Sequence, residues 1–163
     1  MSSFNRRLFL LGSAAALGGC GFAPVYAPSG GGTRLLNTVM VDAPKTRPAF
    51  LLTRQIEDRL GRAGNARYGL GYKITLQNAA IAIDANDVTT RYNLLGAVTY
   101  VLRDMSTDAV LSTGKVDSFT SYSASGSTVA TQAAETDAQE RLMVILADRI
   151  VTRLMATAPG LPE

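Results

Sequence analysis

The sequence predicts an α+β domain: a two-layer sandwich, with a mostly antiparallel four-stranded sheet and two helices packed on one face, in the order β-α-β-β-β-α. Three observations carry this. Residues 70–77 and 92–102 alternate with the two-residue period of a half-buried strand. Residues 49–63 and 131–156 place apolar side chains at three- and four-residue steps, the period of an amphipathic helix. One helical segment lies before the main run of strands and the other after it, an order that implies helices segregated to one side of a sheet. A chain of 163 residues is enough for a single domain with one core.

Each element has its own reason. Residues 35–41, LLNTVMV, form a short β-type run stopped by Asp42-Ala43-Pro44. Pro48 then precedes the first helix, whose stripe is Leu51, Leu52, Ile56 and Leu60, with Arg54, Glu57, Asp58 and Arg62 largely on the remainder and Gly61 and Gly64 ending it. In the second strand Leu70, Tyr72, Ile74 and Leu76 point one way and Gly71, Lys73, Thr75 and Gln77 the other. Its apolar character reaches Ile83 after a bulge near Asn78-Ala79-Ala80, and residues 84–87 (DAND) make a turn. The third strand puts Tyr92, Leu94, Gly96, Val98, Tyr100 and Leu102 on one face. Its other face carries Arg91, Asn93, Leu95, Ala97, Thr99, Val101 and Arg103, which is mixed rather than polar, so a partner protein or a lipid could cover it. After a turn at 104–108, residues 110–122 make a fourth strand with weaker phasing, in which Gly114 marks a bulge. A polar loop, YSASGS, leads to the long helix with its stripe of Ala138, Leu142, Ile145, Leu146, Ile150 and Leu154, stopped before Pro159.

The N-terminus reads as an export and anchoring signal. Asn5-Arg6-Arg7 is a positive start, residues 8–17 an apolar centre and Gly18-Gly19 a small-residue end, directly before the only cysteine, Cys20. The apolar run falls short of the roughly 20 residues that span a bilayer. One thiol makes no internal disulfide, and a chain without histidine offers it no Cys–His partner. Leu17-Gly18-Gly19-Cys20 resembles the bacterial lipobox, in which the cysteine takes a diacylglycerol, the chain is cut before it, and the new amine is acylated, often with palmitate. Arg6-Arg7 followed by Leu8-Phe9-Leu10 also fits a twin-arginine export signal, and the general secretory route is the alternative. The expected organisation is thus a lipoprotein signal peptide at 1–19, a lipidated Gly/Pro-rich tether at 20–33, the α+β domain at 34–158 and a short tail at 159–163.

Charge and chemistry exclude several classes. The 16 basic and 13 acidic residues give a net charge of +3, but Arg6 and Arg7 fall in the signal, so 14 basic residues face 13 acidic ones in the remainder. A basic stripe with interleaved aromatics, as nucleic-acid binding needs, is missing. Lys45, Arg47, Arg54, Arg59, Arg62 and Arg67 crowd between positions 45 and 67; this is read as a solvated helix face, with phosphate binding as the alternative. Paired catalytic carboxylates with a supporting base, a phosphate-cradling glycine loop and a metal-ligand cluster are all lacking, and Ser123, Ser125 and Ser127 have no histidine to activate them. An enzyme is not expected, nor a cofactor beyond the covalent diacylglycerol and N-acyl chain on Cys20.

Three stretches, GCGFAPVY, TTRYNLLGAVTYVLRD and YSASGSTVATQAAETDAQERLMVILADRIVTRL, together resemble the LptE family over nearly the whole chain. The resemblance implies a lipoprotein that plugs and helps assemble the LptD β-barrel of the Gram-negative outer membrane, faces the periplasm, and takes part in lipopolysaccharide transport. Gly21 after the lipidated cysteine, where an aspartate often retains lipoproteins in the inner membrane, leaves outer-membrane sorting open. Contacts to lipopolysaccharide phosphates would come from basic side chains on the uncovered sheet face; Arg91 and Lys73 are the first candidates and Arg103 the third, against the alternative that they are ordinary solvent-facing strand charges. A second reading is an auxiliary lipoprotein of an ABC-type lipid transporter, which shares the anchor and the small α+β design.

Overall fold

The computed structural model describes residues 31–83 and 89–162. Four strands, β1 (Val39–Val41), β2 (Tyr68–Ile83), β3 (Thr89–Asp104) and β4 (Val110–Ser123), form one sheet in the order β1-β2-β3-β4. Helix α1 (Arg47–Leu60) links β1 to β2, and helix α2 (Thr128–Thr157) follows β4. Two 3-10 turns, Gly31–Leu35 and Ala158–Gly160, bracket the domain. The signal, most of the tether and the 84–87 turn lie outside the described residues.

The α+β class stands as expected, and the order of elements differs slightly, by the 3-10 turns at its two ends; two further corrections apply. The sheet is mixed: β1 runs parallel to β2, and only the β2–β3 and β3–β4 pairs are antiparallel. The cause is the α1 crossover, since a helix between neighbouring strands returns the chain in the same direction. The first strand is also shorter than residues 35–41. Leu35 ends a 3-10 turn, Asn37 sits in the left-handed region at φ 58, and pairing begins only at Val39. Leu35 is nonetheless fully buried, so its apolar character serves the core from a turn.

The helices are closed by their own residues. Thr46 caps α1 by accepting from the Ala49 N–H at 3.3 Å, with Pro48 in the first turn. Ser127 does the same for α2 through the Ala130 N–H. Both helices cover the face of the sheet that carries the even-numbered residues of β2 and β3. Tyr72 Oη donates to the Ala49 carbonyl of α1 and shares a 2.8 Å hydrogen bond with Thr53 Oγ1. Leu94, Val98, Tyr100 and Leu102 of β3 are buried together with Leu142, Leu146, Ile150 and Leu154 of α2. Ile145, expected in that stripe, is only half-buried.

Irregularities fall close to the expected places in β2 and away from them in β4. Register shifts flank Ala82, just past the expected bulge. Gly114 is not a bulge: it pairs in register with Tyr100, and the shift comes one turn earlier, where Leu102 faces Ser112 and Arg103 faces Val110. A Cβ on Gly114 would lie 2.5 Å from Tyr100 Oη, so the missing side chain makes room for the ring. Gly114→Ala is expected to cost about 1–3 kcal/mol through overpacking. In a Tyr100→Leu background, which removes the hydroxyl and the ring atoms 2.6 and 2.8 Å away, the same change should cost measurably less by urea denaturation. Equal costs in both backgrounds would refute the contact.

Candidate functional site

The second face of the sheet is uncovered by any described element. Side chains alternate along a strand, so the odd-numbered residues of β3 and their partners on β2 and β4 share it. At its centre Thr99 pairs with Lys73 on one side and Lys115 on the other. Two inter-strand steps of about 4.8 Å put the lysine backbones roughly 10 Å apart. Both side chains are exposed, and among the described residues neither has an ion-pair partner. Arg103 lies four residues further along β3, or about 14 Å, and its guanidinium stands 3.9 Å from Asp108.

Lys73 and Arg103 line one shallow cleft of about 440 Å3 together with Met40, Asp42, Gly71 and Met105. Asp42 brings an acid into it: a Cβ on Gly71 would lie 3.1 Å from Asp42 Oδ2. Toward the other end of the face, Leu95 pairs with Phe119, and these two apolar side chains are 41% and 60% exposed. A cationic row and an apolar pair thus stand on one flat surface, about four residues of β3 apart.

The expected contact residues are not all together. Lys73 and Arg103 share the cleft, while Arg91 pairs with Ser123 at the far end of β3, eight residues and about 27 Å from Thr99. Lys115 was not among the residues singled out from the sequence. The weak phasing of β4 hid it; once Val116 and Tyr122 are known to face the core, the odd residues, Lys115 included, must face away. The basic crowd at 45–67 resolves into structural pairs: Arg47 with Glu140, Arg54 with Asp58, Arg59 with Asp148 and Arg62 with Glu57, while Arg67 lies over the Tyr68 ring. Arg6, Arg7, Leu17, Gly18, Gly19 and Cys20 lie outside the described residues.

The rim of the cleft is fixed by Asp104, which closes the β3–β4 turn. Its carboxylate accepts from Ser106 Oγ, the Ser106 N–H and the Thr107 N–H. These bonds, the Ser106 hydroxyl foremost, hold its pKa below the ordinary 3.8. A group depressed in the folded state contributes stability above its unfolded pKa and loses it as pH falls through the folded value. The wild type should therefore be more stable than Asp104→Asn at neutral pH, and the gap should shrink as pH drops below 3.8. Thermal unfolding followed from pH 7 downward checks this; a gap that does not change would contradict it.

Chemically, this face presents groups suited to binding. Among the described residues no group of three or more His, Cys, Asp or Glu side chains could hold a metal ion, and no helix is long and apolar enough to cross a membrane. An exposed lysine pair suits an anion, and an adjoining apolar pair suits the hydrocarbon part of an amphiphile.

A family model named LptE and described as lipopolysaccharide-assembly matches residues 36–154. Among solved structures, a protein of Caulobacter crescentus described as a lipoprotein is 28% identical, with a TM-score of 0.69 over 80% of this chain and 98% of that one. The rare lipoprotein B of Shewanella oneidensis shares the fold at 12% identity, with a TM-score of 0.58 over 76% of this chain and 96% of its own. A minor lipoprotein of Acinetobacter baumannii does so at 16% identity, with a TM-score of 0.52 over 73% and 91%. No curated protein matches the chain.

Proposed function

The chain belongs to the LptE lipopolysaccharide-assembly family, a family of non-enzymatic envelope lipoproteins that need no cofactor, and from that premise we propose that it plugs and helps assemble an LptD-type outer-membrane β-barrel and handles lipopolysaccharide on its way to the cell surface. In this reading Cys20 carries the diacylglycerol and N-acyl chains, and the domain faces the periplasm on its short tether. The uncovered sheet face is the working surface. Lys73 and Lys115, with Arg103 at the rim and Arg91 at the far end, meet phosphate groups, and Leu95 and Phe119 meet apolar parts of the ligand.

The observation that supports this beyond family membership is the Lys73–Thr99–Lys115 row, whose two cations have no acidic partner among the described residues. Hydrogen bonds to charged groups contribute about 1.5–3 kcal/mol each, less where solvent screens them. Lys73→Ala with Lys115→Ala is therefore expected to weaken lipopolysaccharide binding roughly tenfold or more, while circular dichroism stays unchanged because both side chains are exposed. A photo-crosslinking residue at position 99 should capture lipopolysaccharide in cells. Unchanged binding by the double variant, together with no capture from position 99, would remove this face from the proposal.

A further inference from the structure

β4 is an edge strand of 14 residues with one partner, β3. Its sequence, VLSTGKVDSFTSYS, has no proline and few charges, and Val110 and Phe119 are exposed. Such an edge is a template for a second strand unless something blocks it. Here three arginines of α2 reach its backbone. Arg141 Nη2 donates to the Ser121 carbonyl at 3.3 Å, Arg149 Nη1 to the Asp117 carbonyl, and Arg153 Nη1 to the Lys115 carbonyl at 2.5 Å.

The pattern follows from matched periods. Backbone groups of alternate residues point to the same side of a strand, about 6.8 Å apart, and residues 115, 117 and 121 share that parity. Positions 141, 145, 149 and 153 recur every four residues along α2, a rise of about 6 Å per step. Helix and strand run in opposite directions, so 141 matches 121, 149 matches 117 and 153 matches 115. The remaining step, position 145, is Ile145, level with the carbonyl of Phe119. The side chains are also held from behind: Arg141 pairs with Asp137, and Arg153 lies beside the Tyr100 hydroxyl, whose pKa burial raises and that cation lowers.

We infer that Arg141, Arg149 and Arg153 form an edge guard that denies β4 to a second strand, and that without it β4 becomes a self-association surface for a second copy of this chain. Three of the carbonyls a new strand would need, those of Lys115, Asp117 and Ser121, are already bound, and an approaching backbone would have to displace the guanidinium groups that bind them. Two unguarded β4 edges can pair antiparallel about a two-fold axis, each supplying the same patch. The guard acts at the strand's edge; Arg149 also lines the pocket that holds Leu95 and Phe119, so its replacement is read by association and not by ligand binding.

The test uses the full-length chain purified in mild detergent. Arg141→Ala, Arg149→Ala and Arg153→Ala are combined. A second variant, Arg149→Met, keeps the apolar stem for packing, and a control, Arg54→Ala with Arg62→Ala, removes exposed charge elsewhere. Light scattering gives the oligomeric state, and hydrogen exchange reads the outward amides of Lys115, Asp117 and Phe119. We expect the wild type and the control to stay monomeric. Each hydrogen bond gained between paired edges contributes about 1 kcal/mol, so the triple variant should dimerise at least tenfold more strongly. Its outward amides should slow as concentration rises, and Arg149→Met should lie between. A wild type that already pairs through β4 would overturn the inference. So would an Arg149→Met variant, or a folded triple variant, that stays monomeric with unchanged exchange. Equal association by the control would reduce the effect to net charge and overturn it too.

Discussion

Gly96→Val is expected to destabilise the domain by about 3 kcal/mol, and Leu142→Ala is expected to recover part of that loss. Gly96 sits in the middle of β3, on the face covered by α2. A Cβ there would lie 2.9 Å from Leu142 Cδ2, 3.1 Å from Leu146 Cδ1 and 3.2 Å from Leu76 Cδ2. Leu142 and Leu146 are fully buried, so their methyl ends have little room to move. Valine adds a branched carbon and two methyls where three leucines already converge, and cores at close-packed density resist that. Leu142→Ala alone removes a buried side chain and should cost about 2–5 kcal/mol. The two single changes are opposite in volume at one contact, so the double variant should be more stable than the sum of the single costs predicts. Against a total stability of about 5–15 kcal/mol, each change is large enough to read by urea denaturation. Strict additivity would mean that Gly96 does not set the α2-to-sheet distance.

Cys20→Ser is expected to remove the protein's own hold on the outer membrane, leaving the barrel as its remaining attachment there. A single myristoyl chain gives only marginal membrane binding, with a constant of about 10^4 M−1, whereas two or more chains hold a protein stably. No described helix offers a substitute, because none is long and apolar enough to cross a bilayer. Serine keeps the size of the side chain but lacks the thiol that accepts the diacylglycerol. The variant should lose palmitate label, keep its signal uncleaved and be depleted from the outer-membrane fraction, any remainder there being bound to the barrel. A variant found there at wild-type levels with label intact would show that Cys20 is not the anchor. In contrast to Gly96→Val, this change should leave the domain's denaturation curve unaltered, which separates loss of anchoring from loss of fold.

What the sequence made legible follows from which side chains report their surroundings. β2 and β3 were readable because one covered face imposes a two-residue period on them, and α2 because its buried stripe repeats every three or four residues. β1 was over-read, since Leu35 and Leu36 are apolar for a core that they meet from a turn. The parallel pairing of β1 was not readable, because the direction of return across α1 leaves no mark on either strand's own pattern. Gly114 reads as a bulge while its neighbour is unknown: only the register shows Tyr100 opposite it.

The same division holds for the candidate site. Parity along β2 and β3 was enough to put Lys73, Arg91 and Arg103 on the uncovered face. The twelve-residue separation of Arg91 and Arg103 on one strand already sets those two apart; the register that puts Lys73 opposite Thr99, and so nearer Arg103, was not in the pattern. Lys115 and the arginine guard depend on how β4 lies beside β3 and α2, which is spatial information. The basic crowd at 45–67 was read as a solvated helix face, and four of its six members prove to be ion-paired.

The proposed place of this chain is inside an outer-membrane barrel. The most direct measurement is co-purification of the full-length chain, tagged at its C-terminus and extracted in mild detergent from the outer membrane of its own host. A stoichiometric complex with one large β-barrel protein is expected. Recovery of the chain alone, or with an inner-membrane ATPase and permease, would contradict it and favour the transporter-associated reading.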